Sequence, residues 1–407
     1  MSSGPSRSLP DPNDSTAGRR RLPPLLPTAV STTVLSSPRY QDYDFGPEHP
    51  FSPVRLEMLL DLLEELGASL NAVKPPIATR NDVLSVHAEA FVDQVEAAGA
   101  GTPQGGMSRY GLGTADVPIF DGMDAAARTL VGGTLHGARL IEQGKAERIL
   151  QLGGGLHHAQ EQLASGFCVY NDLSVAIQHL RDAGRRVAYL DIDVHHGDGV
   201  QALHYDDPDV LTISLHESGR YLFPGTGTVH EIGEGAGEGT SLNVPLEPFT
   251  ESDSFVDVFE RVVPYAVENF MPEVMVVQCG ADAHFSDPLA DLLLTTHAYE
   301  TVFRRIFELA DDHCQGRLLL TLGGGYQMDA TVRTWALLTL LATGHDLPEQ
   351  LPESWIQRWE NRLEDDLTPT LHDPSDRVFD VPRHDTIYKQ NERVSKRVLE
   401  LLAPLWY

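Results

Sequence analysis

The sequence predicts an α/β protein in which a parallel sheet is covered by helices. Three observations carry that reading. From Arg148 onward, apolar strand-like runs alternate with stretches of helical periodicity, the rhythm of consecutive βαβ units. The run Arg186 to Val194 alternates, is rich in β-branched and aromatic residues, and is broken by Gly197 and Gly199, as expected of a buried strand entering a loop. Four such runs end in glycines and reactive side chains: His157 and His158; Asp191, Asp193 and His195; Asp282 and Asp287; Tyr326. Parallel strands present their carboxyl ends on one edge, where ligands bind, so the four clusters are expected to meet in space.

Residues 1 to about 27, rich in Ser, Pro, Asp and Arg, are expected to be disordered, and residues 28 to 407 to form a single catalytic domain, since neither linker nor internal repeat interrupts them. Thr28 to Leu35 reads as a first strand. Val54 to Gly67, with Leu56, Leu59, Leu60 and Leu63 at helical spacing and a terminal glycine, reads as an amphipathic helix. The glycine-rich stretch Gly101 to Asp124 reads as a long surface loop. A strand over Arg148 to Leu152 follows, then a helix over Asn171 to Gly184 capped by Asn171 or Asp172. Strands come next at Arg186 to Val194 and Val210 to Leu215, with a glycine-rich excursion from Gly219 to Gly239. Helices at Ser254 to Phe270, Tyr299 to Cys314 and Asp329 to Thr343 flank strands at Val274 to Gln278 and Arg317 to Leu322, and a last helix lies around Asn391 to Leu402.

The formal net charge is -29, from 59 acidic and 30 basic residues, which excludes nucleic acid and anionic membrane as direct partners and favours cationic ones. Three widely spaced cysteines, Cys168, Cys279 and Cys314, supply neither a disulfide framework nor a thiolate zinc site, so a reducing cytoplasm is the expected compartment. No run has the apolar length needed to span a bilayer.

Along a strand, residues i and i+2 share a face, so Asp191, Asp193 and His195 are expected to project together. Carboxylates buried side by side raise each other's pKa unless a cation sits between them, and a divalent metal meets that need. Asp193, His195 and Asp287 form a three-ligand, oxygen-rich set with open positions, which suits a catalytic metal, zinc or Fe(II). His157 and His158 diverge as chain neighbours and cannot both bind one ion, so at least one is placed as general base and acid. Asp191 and Asp198 can each fix a histidine tautomer, and Tyr326 on its glycine-rich turn can donate to an oxyanion. These are the parts of an amide hydrolase that uses a metal-activated water.

Six motifs then resemble the histone deacetylase family, in order and at consistent spacing. They are Gly-Gly-Leu-His-His-Ala (154 to 159), Ser-Gly-Phe-Cys-Val-Tyr-Asn-Asp (165 to 172), Asp-Ile-Asp-Val-His-His-Gly-Asp-Gly (191 to 199), Phe-Pro-Gly-Thr-Gly (223 to 227), Gly-Ala-Asp with Asp-Pro (280 to 288) and Gly-Gly-Gly-Tyr (323 to 326). Tyr-Asp-Phe-Gly-Pro-Glu-His-Pro (43 to 50) and Gly-Thr-Ala-Asp-Val-Pro-Ile-Phe (113 to 120) are similar to the bacterial acetoin-utilisation type. The resemblance implies a three-layer α/β/α arginase/deacetylase fold with a central eight-stranded parallel sheet. It implies zinc on Asp193, His195 and Asp287. His158 paired with Asp198 is implied as base and then acid, His157 paired with Asp191 as electrostatic support, and Tyr326 as the group that polarises the acetyl carbonyl. Phe167 and Phe223, with Gly166, would line a narrow channel for the lysine stem. Asp116 would hold the substrate backbone at the rim, and Arg55 would lie near an inner exit pocket. A potassium ion is implied on Asp191, Asp193, His195, Ser214 and Leu215. Leu156 and Leu222 stand where many members carry aromatics, and three glycines rather than four precede Tyr326.

The substrate expected from this reading is ε-acetyl-lysine in proteins. An acetylpolyamine or another small cationic acetylamide would use the same catalytic residues. A non-catalytic acyl-lysine binding protein is the reading from a different class, and in degenerate relatives of that kind the tyrosine or a metal ligand is lost; this chain keeps them.

Overall fold

The computed structural model describes residues 31–407 except Ser69, Gln104 and Tyr407. The segment expected to be disordered, and Thr28 to Val30 of the first expected strand, lie outside the described residues. Seven strands occur among those described: β1 (Thr32–Leu35), β2 (Arg148–Gln151), β3 (Val187–Asp191), β4 (Val210–Glu217), β5 (Ser241–Leu246), β6 (Val274–Gln278) and β7 (Leu318–Thr321). The helices are α1 (Val54–Glu65), α2 (Arg80–Val83), α3 (Glu89–Gly99), α4 (Met123–Glu142), α5 (Asp172–Asp182), α6 (Asp198–Leu203), α7 (Ser252–Phe270), α8 (Thr296–Cys314), α9 (Met328–Thr343), α10 (Glu353–Leu363) and α11 (His384–Leu402).

All seven strands are parallel, in the order β1-β2-β7-β6-β3-β4-β5. Strand alternation divides the apolar side chains into two cores, one on each face of the sheet. Val187 and Tyr189 of β3 join Leu173, Ile177 and Leu180 of α5 on one face. Ala188 and Leu190 join Phe259 and Val263 of α7, Phe303 of α8 and Leu337 of α9 on the other. The result is the expected three layers, and both faces of every central strand are dry.

The sheet has seven strands where the family resemblance implied eight. Beyond β1 the pairing shrinks to a single parallel bridge, in which Val73 donates its N–H to Val34 O at 2.8 Å and accepts from Ser36 N at 3.1 Å. Pro75 and Pro76 follow at once. They lack the N–H that a further ladder needs, so pairing stops there.

The order places β2, β7, β6 and β3 side by side. Those are the four strands whose ends carry the histidine pair, Tyr326, Asp282 with Asp287, and the Asp-x-Asp-x-His run. Sheet topology therefore assembles the site from segments up to 169 positions apart, the difference between His157 and Tyr326.

Candidate active site

The Asp-x-Asp-x-His run converges by a route other than strand alternation. β3 ends at Asp191, three residues short of the expected end, and Asp193 and His195 stand in the loop that follows. That loop is folded by its own side chains. Asp191 Oδ1 accepts from Asp193 N at 3.1 Å, and Asp193 Oδ1 accepts from His195 N at 3.0 Å. Each aspartate caps the residue two positions on, the local bond that short carboxylates favour in turns.

Gln278, at the end of β6, orients Asp193. Its Nε2 donates to Asp193 Oδ2 at 2.7 Å, while its Oε1 accepts from Gly280 N at 2.7 Å. Gly324 N adds a second donor to Asp193 Oδ2 at 3.0 Å. His195 Nδ1 lies 3.1 Å from Asp193 Oδ1 and 3.2 Å from Asp282 Oδ2. Asp193, His195 and Asp282, all buried, thus bring ligand atoms within 4.8 Å of one another. Asp287, the third ligand expected from the sequence, lies outside that compact set. Its oxygens accept from Leu289 N at 3.0 Å and from Tyr326 N at 2.7 Å.

Electrostatics favour a cation here. Burial and the neighbouring Asp193 push Asp282 up to about 8, and burial pushes Asp287 up to about 6 against the pull of its backbone donors. Three carboxylates and an imidazole gathered in a dry pocket are the donor set of a divalent metal site, and the residues present fit one.

The adjacent histidines form a linked pair. His157 Nδ1 donates to Asp191 Oδ2 at 2.7 Å, and His158 Nδ1 donates to Asp198 Oδ1 at 2.6 Å. Their Nε2 atoms face each other at 2.9 Å, so a single proton occupies that contact. The surroundings separate the two rings. Burial works against charge on His157, but Asp191 and Asp193 outweigh it and raise the ring to about 9. Burial and the charge on His157 lower His158 to about 4. His157 is the cation and donates across the contact, so His158 is neutral and its Nε2 is the acceptor at neutral pH.

Several further residues support these groups. Tyr189 Oη donates to Asp191 Oδ2 at 2.5 Å, and Gln160 Nε2 to Asp198 Oδ2 at 2.8 Å. Asp172 accepts from Gly155 N at 3.0 Å and Leu156 N at 2.8 Å, fixing the loop that carries the histidines. Gly166 sits at φ +56°, and a Cβ there would lie 2.1 Å from His158 Cδ2. The sequence signal for Tyr189 was its place on the same strand face as Asp191; for Gln278, Gln160 and Asp172 only the topology reveals the partner.

Two aromatic rings flank these groups. Phe223, 45% exposed, lies with its ring centroid 5.0 Å from His158 and 6.3 Å from His195. Phe167 packs edge-on against Tyr326 at 5.6 Å. Burial and nearby aspartates hold the Tyr326 hydroxyl well above the ordinary tyrosine range, so it remains a proton donor at neutral pH. Asp116 Oδ2 accepts from Gly166 N at 2.7 Å, joining the expected rim aspartate to the loop beside His158. Arg55 is buried, donates to Gly325 O at 2.6 Å, and lines an internal cavity of about 50 Å³ with Tyr40, Gly323 and Trp335. Ser214 is the register partner of Asp191, and its Oγ bonds His216 Nδ1 at 2.8 Å.

A parallel α/β sheet whose central strand ends gather carboxylates, paired imidazoles and a tyrosine is a hydrolase framework. The comparisons with known proteins make the class specific. Residues 49–342 match the family model described as a histone deacetylase domain, and the chain belongs to that family. It is a deacetylase. Among its relatives, the acetoin utilization protein AcuC of Bacillus subtilis (strain 168) is 42% identical over 368 residues, covering 89% of this chain and 95% of the relative. AcuC of Staphylococcus aureus (strain MRSA252) is 36% identical over 386 residues, covering 92% and 97%. The crystal structure of an HDAC homolog from Aquifex aeolicus superposes with a TM-score of 0.80 at 28% identity, covering 89% of this chain and all of that one. The structure of an HDAC homolog complexed with SAHA gives the same TM-score and identity. Among the described residues no helix is long and apolar enough to cross a membrane.

Proposed function

We propose that this deacetylase removes acetyl groups from ε-acetyl-lysine side chains of proteins in the cytoplasm, releasing acetate, with residues 28 to 407 acting as one catalytic domain. Zinc, or Fe(II) in its place, is held by Asp193, His195 and Asp287, with Asp282 backing His195. When bound, the ion supplies Lewis acidity to the amide carbonyl and to the attacking water.

The chain's own groups do the rest. Phe167 and Phe223 flank the lysine's aliphatic stem, Gly166 leaves room beside His158, and Asp116 holds the substrate backbone at the rim. Tyr326 donates its hydroxyl to the oxygen on which charge develops. His158 Nε2 takes the proton of the attacking water and returns it to the departing lysine amine, with Asp198 fixing its tautomer. His157, held cationic by Asp191, supplies positive charge beside the same centre. Potassium on Asp191, Asp193, His195, Ser214 and Leu215 would brace the loop after β3, a reading supported by the pairing of Asp191 with Ser214.

The observation that carries this reading is the histidine pair with its two aspartates, in which one ring is cationic and the other neutral. The test is turnover of an acetyl-lysine peptide beside N-acetylputrescine, at matched concentrations of the zinc-loaded protein. Higher kcat/KM for the peptide supports the proposal. Turnover of the polyamine alone replaces protein lysine with a small cationic metabolite as substrate.

A further inference from the structure

The loop that carries Phe223 has a second face. Ser218 to Arg220 and Gly225 to Val229 line a groove of about 450 Å³, with α11 on its far side. Arg220 comes from the loop, and Arg393 and Arg397 from the helix; His230 also faces the groove, and Glu247 is the only carboxylate lining it. This is an unusual place for two guanidinium groups to go without an ion pair and a third to have only a long one, because acidic residues outnumber basic ones 59 to 30 in the chain. Among the described residues Arg220 and Arg393 have no ion pair, and Arg397 has only the exposed Glu400 at 3.5 Å. Arg393 and Arg397 are four apart on one helix, where like charges repel. Against three arginines the groove sets one lining carboxylate, Glu247, and the exposed Glu400.

The groove walls are held in place. Asn391, on the same helix as Arg393 and Arg397, is buried and ties α11 to the segment after β5 through Glu247 N at 3.0 Å and Thr250 Oγ1 at 2.7 Å. The loop is tied to the site by His196 Nδ1 to Thr226 Oγ1 at 2.8 Å and by His216 Nε2 to Gly227 O at 3.0 Å. Arg220 is three residues from Phe223, a separation of at most about 11 Å along the chain. A peptide whose acetyl-lysine enters beside Phe223 therefore brings residues within about three positions of that lysine to the groove.

We propose that this groove is a specificity site that binds aspartate or glutamate side chains flanking the acetyl-lysine of the substrate. It rests on the protein-lysine reading above. The occupant is an acidic peptide segment because three arginines line this groove in a strongly acidic chain, and the loop that forms one wall also carries Phe223 beside His158.

The test compares kcat/KM for three acetyl-lysine peptides that carry Glu, Gln or Lys at the two positions on either side, using the zinc-loaded wild type and an Arg220→Gln, Arg393→Gln, Arg397→Gln variant. The wild type is expected to favour the Glu peptide over the Gln peptide about tenfold at low salt, with the preference shrinking as salt is raised. The variant is expected to lose the preference while turning over capped acetyl-lysine, which is too short to reach the groove, at the wild-type rate. Equal kcat/KM on the Glu and Gln peptides in the wild type overturns the groove and leaves the deacetylase reading standing. If no acetyl-lysine substrate turns over, the protein-lysine reading falls, and the groove is decided by fluorescence anisotropy with a labelled, unacetylated Glu peptide. Binding about tenfold weaker in the variant supports an acidic-peptide groove, and equal binding overturns it.

Discussion

His157 and His158 are adjacent in sequence, share one contact, and are driven to opposite protonation states by the carboxylates behind them. Asp191 and Asp193 hold the first ring cationic, while burial and that cation hold the second neutral. The sign of the pH dependence follows. His158 gains a proton, and its role as base, is lost as pH falls through about 4; His157 loses its charge as pH rises through about 9. A pH series of kcat/KM should give a plateau between these limits, with both limbs falling. The same pair is sensitive to its neighbour Gly166. A methyl group there lies 2.1 Å from the His158 ring and at a positive φ, so Gly166→Ala must move the base. Displacing a catalytic group by about 1 Å costs on the order of 10²-fold in rate, and kcat/KM for Gly166→Ala should fall by about that much with metal content unchanged.

At the level of elements, the loop between β6 and α8 is anchored from outside the sheet. Asp373 Oδ2 accepts from Thr296 N at 2.8 Å at the start of α8 and from His284 Nε2 at 2.9 Å in the loop between Asp282 and Asp287; Asp373 Oδ1 pairs with Arg333 of α9 at 3.0 Å. Despite burial, His284 and Arg333 hold the Asp373 carboxyl well below its ordinary value of 3.8. A carboxylate with a depressed folded-state pKa stabilises the fold fully above its unfolded-state value, and that contribution is lost progressively as pH falls from there through the folded-state value. Asp373→Asn should therefore lose about 2 kcal/mol of stability at neutral pH in urea titrations. The difference between variant and wild type should begin to shrink as pH falls below about 4, where the unfolded state starts to bind the proton, and vanish only once the folded-state carboxyl is protonated as well.

Legibility in the sequence differed by element. The βα rhythm marked β2, β3, β6 and β7 because each is a short apolar run closed by glycine. Helices α7, α8 and α9 showed through their apolar spacing, with their first turns recovered two, three and one residues earlier than expected. α4 was missed although it is 20 residues long, because Gly132, Gly133 and Gly137 weaken its pattern. Those glycines serve packing: a Cβ on Gly133 would meet Gln151 Nε2 at 1.8 Å, and one on Gly132 would meet Pro76 O at 2.2 Å. β5 was hidden behind the glycine-rich excursion and by Pro245, which an edge strand tolerates. In the site, side chains that sit in motifs were legible. Gln278 and Gln160 were not, and the partners of the motif residue Asp172 were not, because only the folded chain brings them near.

On the scale of the whole molecule, every observation converges on one edge of one parallel sheet, and a cation is what lets four acidic and basic groups coexist there in the dry state. Asp193, His195, Asp282 and Asp287 are all buried or nearly so. The central claim is that this centre works only with its metal. The most direct measurement is kcat/KM on an acetyl-lysine peptide, read beside bound zinc by elemental analysis, for the protein as purified, after chelation and dialysis, and after stepwise return of zinc. The account predicts loss of activity with the metal and recovery proportional to zinc up to one equivalent, with the fold intact throughout by circular dichroism. Full turnover by protein shown to be metal-free would contradict it.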